Sequence, residues 1–303
     1  NDYTDATEPG IDTKPVIIGA FTFLLLGKDK AAEFNRLDLL NNLLPVYKEI
    51  LKQLSDLNVQ YVQFDEPVLA TNLSNAELAE LSAIYTELKS AFPKIKFVLA
   101  NYFECYGENL STVLSLPFDV IHLDLVRCPS QLDDIIASDK VNPQTVFSLG
   151  IIDGRNIWKN DYSTSLSIIN KAINHLGKER LILAPSCSLL HTPCDLDSEK
   201  RLDDELKNWL SFVKKKINEL AELSKINDNE DDANKLIENH SRESNLITGV
   251  SSINYGNKDN ELNKKEEKEN NKLAMKFNKK NVGENKVEIK LENNNNQNNI
   301  IGS

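Results

Sequence analysis

The stretch LILAPSCSLLHTP, residues 181–193, decides how this chain is read. A short apolar run ends, and Ser186, Cys187, Ser188 and His191 crowd its end. Four other apolar runs end the same way. Residues 59–64 run into Asp65-Glu66-Pro67, and residues 97–100 into Asn101-Tyr102-Phe103-Glu104. Residues 120–125 carry Asp124 and run into Arg127, and residues 146–152 run into Asp153-Gly154-Arg155-Asn156. Parallel α/β sheets place their chemistry at the carboxyl ends of their strands, and this chain repeats that arrangement strand after strand.

Helical segments separate the strands. Residues 31–57 carry Leu39, Leu40, Leu43, Leu44, Tyr47, Ile50, Leu51 and Leu54 at helical spacing. Ser74, with Glu77 three residues on, predicts a capping box opening a helix to Phe92. Short helices are expected over 109–116 and 130–137, and a longer one over 163–176 that Gly177 stops. Residues 14–26 read as the first strand, with β-branched and aromatic residues over 16–23, and residues 199–223 as one long amphipathic helix. The pattern amounts to about six βα units. It implies a parallel sheet, either open and doubly wound or a (βα)8 barrel lacking two units. No Gly-x-Gly-x-x-Gly follows any strand, which weighs against a dinucleotide-binding sheet.

Composition sets further bounds. Of the 303 residues 40% are hydrophobic, and the deficit is concentrated beyond residue 226. Residues 227–300 are rich in Asn, Lys and Glu and read as a mostly disordered linker, with one helix near 231–239. Residues 1–13 read as an irregular lead-in. A net charge of −11 argues against general nucleic-acid binding. No apolar run is long enough for a transmembrane helix. Four cysteines are too few for a disulfide scaffold, so a reducing cytoplasm is the natural reading. The chain does not begin with Met and reads as a fragment or a processed piece.

Among the candidate site residues, Asp65 and Glu66 are adjacent on a strand end. Extended backbone turns them to opposite faces, one to the mouth of the sheet and one to brace a loop. Arg155 and Asn156 offer a guanidinium fork and an amide, for a carboxylate-bearing ligand or for a brace across the sheet top. Cys187, His191 and Cys194 have the spacing C-x3-H-x2-C, which suits zinc or a thiol nucleophile but matches no common zinc pattern; a buried Cys and a capping His are the stronger reading. His122 and Asp124 lie two apart on one strand, which predicts an Asp-paired core histidine.

Taken in order, KPVIIG at 14–19, FTFLLLGK at 21–28, LPVY at 44–47, VQFDEP at 62–67, YFE at 102–104, HLDLVRCP at 122–129, DGRNIW at 153–158 and SCSLLH at 186–191 resemble the N-terminal domain of cobalamin-independent methionine synthase. The resemblance covers roughly 14–225. It implies two βα barrels descended from a duplication, and transfer of a methyl group from 5-methyltetrahydrofolate polyglutamate to homocysteine. It also implies zinc in the second barrel, held by His-x-Cys, Glu and Cys, and a first barrel that supports the interface and the folate tail. Compared with the second barrel, the His-x-Cys position falls on Asn101-Tyr102-Phe103, the Glu position on Asp124 and the last Cys on Cys187. Cys187 is then a remnant, no zinc is expected in this chain, and Asp65 corresponds to a homocysteine-contacting Asp. Two βα units, the basic segment expected to hold the glutamate tail and the whole second barrel are expected to be missing, with 301–303 as the start of that barrel. The chain alone is then expected to be poorly stable and inactive. Two alternatives stand: a truncated barrel acting as a binding or regulatory partner, and a standalone zinc or thiol enzyme built on Cys187, His191 and Cys194.

Overall fold

A computed structural model describes residues 2–7, 10, 13–28 and 35–226 of the chain. Six strands form one parallel sheet in the order of the sequence: β1 (Val16–Ile18), β2 (Tyr61–Asp65), β3 (Lys96–Ala100), β4 (Val120–Asp124), β5 (Val146–Ile152) and β6 (Leu181–Pro185). The helices are α1 (Asp2–Thr7), α2 (Ala20–Leu25), α3 (Leu40–Asp56), α4 (Asn75–Ala91), α5 (Leu110–Val113), α6 (Gln131–Ile136), α7 (Tyr162–Leu176), α8 (Asp204–Trp209) and α9 (Val213–Ile226). A doubly wound sheet reverses its strand order at a switch point. Here the order never reverses, so right-handed crossovers put every connecting helix on one face. The fold is α/β of (βα)-barrel type, a six-strand arc in which β1 and β6 each have one neighbour among the described residues.

The register shows what each face holds. Phe64, Leu99, Ile121 and Phe147 point outward and are buried under Leu51, Leu81, Tyr85, Leu88 and Ile169 of the helices. Phe64, Tyr85, Phe97 and Phe118 pack as one aromatic group, with Phe64 and Phe97 centroids 4.9 Å apart. The alternate residues point inward and align across the sheet: Gln63 with Val98, Asp65 with Ala100, Ala100 with His122, His122 with Ser148. The inner face is therefore polar toward the carboxyl ends of the strands. At its two edges Val16, Ile18 and Ile182 are 52%, 46% and 44% exposed.

Two elements depart from the periodicity. Residues 14–26 do not form one strand: β1 ends at Ile18 and α2 begins at Ala20. The cause is Glu66, whose carboxylate accepts the backbone N–H groups of Phe21 (3.2 Å) and Thr22 (2.7 Å) at the new helix end. An acceptor fixed there satisfies N–H groups of the first turn that have no partner within the helix, and so favours helix over a continued strand. Residues 199–223 do not form one helix either. Asp203 caps α8, Leu210 forms an antiparallel bridge with Trp158, and Leu196, Leu210 and Phe212 make a small second core before α9 starts. Burying Leu210 and Phe212 in it outweighs helical continuity through them. The capping box at Ser74 and Glu77 is present in full. The segments 31–34 and 227–303, including the helix expected near 231–239, lie outside the described residues.

Candidate functional site

The carboxyl ends of the strands form a polar mouth. On the β1–β3 side, Lys14 donates to the Gln63 side-chain oxygen. Gln63 Nε2 donates to Asp65 Oδ1 (2.7 Å) and to Tyr102 Oη (2.5 Å), and the Tyr102 hydroxyl also donates to Asp65 (3.2 Å). Burial and the Asp65 charge raise the Tyr102 hydroxyl well above the usual phenol range, so it stays a donor.

In the centre, His122 is buried. Its Nε2 lies 3.0 Å from the carbonyl oxygen of Ser186 and its Nδ1 2.9 Å from Ser148 Oγ. A carbonyl can only accept, so Nε2 carries the proton and Ser148 donates to Nδ1. Burial lowers the imidazole below its ordinary range and keeps it neutral. The close approach depends on Gly150. A Cβ there would lie 2.6 Å from the Leu123 oxygen and 3.0 Å from His122 Cε1. The expected Asp124 partnership for His122 is not formed as a hydrogen bond. Asp124 instead accepts the backbone N–H groups of Phe103 (2.9 Å) and Arg127 (3.0 Å), tying the loops after β3 and β4 together.

On the β5–β6 side, Asp153 accepts from the Arg155 backbone (2.7 Å) and from the Asn156 amide (2.9 Å). Asn156 Oδ1 in turn accepts from Lys216 of α9 (3.0 Å), a fully buried lysine that also donates to the Trp158 carbonyl (3.0 Å). Burial lowers the Lys216 ammonium; Glu219 and Asp153 work against that shift. Asn156 thus works as a brace. Arg155 is exposed, and its guanidinium lies 4.5 Å above the Phe103 ring.

The structure separates the adjacent carboxylates. Asp65 faces the mouth. Glu66 is fully buried behind it, held by Phe21, Thr22 and the Tyr85 hydroxyl (2.5 Å). Its burial pushes the carboxyl up, and those hydrogen bonds oppose the shift.

The thiol and metal readings find no support in the geometry. Cys187 is buried with its thiol raised by burial, the opposite of an activated nucleophile. His191 and Cys194 are exposed, and Cys187, His191 and Cys194 do not converge as ligands among the described residues. Nor do Asn101, Asp124 and Cys187 fit the zinc that the resemblance places in a second barrel. One is an amide, one a carboxylate already holding two N–H donors, and one a protonated thiol.

Sequence reasoning missed Lys14, Gln63, Ser148 and Lys216. The first three could have been found by continuing the period-two alternation across neighbouring strands. It also missed that Cys105 and Cys128 are disulfide-bonded, with Cα atoms 5.3 Å apart, while Cys187 and Cys194 are free.

The family model for the N-terminal domain of cobalamin-independent synthase matches residues 1–177. The chain belongs to this family. It is 54% identical over 226 residues to a 5-methyltetrahydropteroyltriglutamate–homocysteine methyltransferase of Flavobacterium johnsoniae, covering 74% of this chain and 29% of that protein. It is 50% identical over 230 residues to the protein of that name in Cytophaga hutchinsonii, covering 75% and 30%. A solved B12-independent methionine synthase from a Shewanella species aligns at a TM-score of 0.44 and 16% identity over 58% of this chain and 55% of that one. The chain spans about three tenths of the length of these curated relatives. The cobalamin-independent synthases are methyltransferases, and the match identifies this chain with their N-terminal domain.

Proposed function

We propose that this chain is the N-terminal support part of a cytoplasmic methyltransferase that moves a methyl group from 5-methyltetrahydrofolate polyglutamate to homocysteine, making methionine. The 54% identity to a relative carrying that name is the observation that carries the reading. The geometry supports a supporting role. The mouth is polar and ordered, but its groups are spent on one another: Asp65 on Gln63 and Tyr102, Asp124 on two backbone donors, Asn156 on Asp153 and Lys216. The neutral His122 is enclosed by Ser148 and the Ser186 carbonyl. Arg155 is exposed at the mouth, and it is the group we assign to a carboxylate-bearing ligand or to a neighbouring part of the enzyme. In this reading the zinc and the homocysteine thiolate belong to the second barrel, and among the described residues no helix is long and apolar enough to cross a membrane.

The test is methyl transfer and zinc content of the purified chain by itself. Neither turnover nor stoichiometric zinc is expected. Turnover, or bound zinc lost on Cys187→Ser, would overturn the supporting role and restore the thiol or metal reading.

A further inference from the structure

The loop that follows β3 is held in an unfavourable conformation by three ties to the loop that follows β4. Phe103 sits at φ 78°, the left-handed region that a residue with a bulky side chain rarely adopts. Asp124 holds its N–H (2.9 Å), Gln131 accepts the Tyr106 N–H (2.7 Å), and between those two points Cys105 is covalently bound to Cys128. The Phe103 ring is 45% exposed and carries the Arg155 guanidinium, an exposed cation of the mouth. The state of one covalent bond therefore bears on the residue that seats Arg155.

We propose that Cys105–Cys128 is a reversible thiol–disulfide clamp, exchanged by low-molecular-weight thiols and disulfides, whose closure sets the backbone of residues 101–106 and with it the seat of Arg155. The two sulfurs differ in access. Cys105 is half-buried and Cys128 is buried. An incoming thiolate attacks the Cys105 sulfur, and the Cys105–Cys128 bond breaks. Cys128 leaves as a thiolate beside the Ser130 hydroxyl (3.8 Å) and takes a proton from water. A second thiol then resolves the mixed disulfide. The balance is one protein disulfide plus two thiols giving two protein thiols and one small disulfide, and the small disulfide is the oxidant of the reverse step. The bond is not needed to join the two loops. Once it opens, only the hydrogen bonds to Asp124 and Gln131 hold residues 103–106 to β4 and α6, and the Phe103 N–H bond loosens with the segment.

The full chain is equilibrated in glutathione buffers from fully reduced to fully oxidised. Differential alkylation with mass spectrometry reads the 105–128 pair, and hydrogen exchange reads the amides. The pair should titrate as a two-electron couple while circular dichroism stays unchanged. On reduction the Phe103 and Cys105 amides should exchange at least tenfold faster, with β2 and β5 amides unaffected. Cys105→Ser should give the fast-exchanging loop in oxidising buffer as well. A pair that never crosslinks in oxidised glutathione, that is reduced only on unfolding, or whose crosslinking leaves the loop amides unchanged would overturn the clamp. So would stoichiometric zinc binding that shields both reduced thiols from alkylation in these buffers. Glu104, Cys105 and Cys128 have ligand atoms within 4.8 Å of one another, and that result would make the cluster a metal site instead.

Discussion

Glu66 shows at the scale of one residue how a sequence signal is correct and incomplete. Its adjacency to Asp65 predicted opposite faces, and the structure bears this out. What it caps was not legible, because the partners are backbone N–H groups 44 and 45 residues away. Gly19 makes room for it: a Cβ at that position would lie 2.0 Å from the Glu66 carboxyl carbon. Gly19→Ala must displace a buried carboxyl from its donors. It is expected to cost about 3 kcal/mol in urea unfolding, combining overpacking with lost hydrogen bonds to a buried carboxyl. His122 gives a pH signature. Its folded pKa lies below its unfolded value, so the unfolded chain gains a proton that the folded chain refuses. The stability it contributes is present above about pH 6.5, the unfolded value, and falls as pH drops below it. The slope expected from this group is about 1.4 kcal/mol per pH unit until the folded value is reached. His122→Gln should flatten that part of the profile, measured by urea midpoints between pH 7.5 and 5.

At the scale of elements, local signals were read well and long-range ones poorly. The capping box of α4 needs only Ser74 and Glu77, so spacing alone revealed it. Ser74→Ala should lower stability by about 1 kcal/mol in chemical denaturation, with activity of a complete enzyme unaffected. The failures were the two segments where a distant group decides the outcome. α2 forms because Glu66 accepts its first N–H groups, and the α8–α9 break exists because Leu210 pairs with Trp158. Apolar periodicity sees neither. β3 ends at Ala100, where its apolar run ends, and Asp124 draws the Phe103 N–H across to β4.

At the scale of the molecule, the strand ends revealed the mouth, and the unbroken β1-to-β6 order decides for a barrel arc over the doubly wound alternative. The convex side carries a continuous core running from Ala20 of α2 to Leu223 of α9. On the concave side Val16, Ile18 and Ile182 face inward at the two edges and are about half exposed. An edge strand with unpaired backbone groups and apolar side chains gains by further pairing. The most direct measurement is a chimera in which residues 14–226 replace the matching segment of the Flavobacterium johnsoniae methyltransferase, assayed for methyl transfer from 5-methyltetrahydropteroyltriglutamate to homocysteine. The account predicts activity within about tenfold of the parent, because the two chains are 54% identical over 226 residues. A chimera that folds cooperatively, matches the parent's metal content and transfers no methyl group would contradict it.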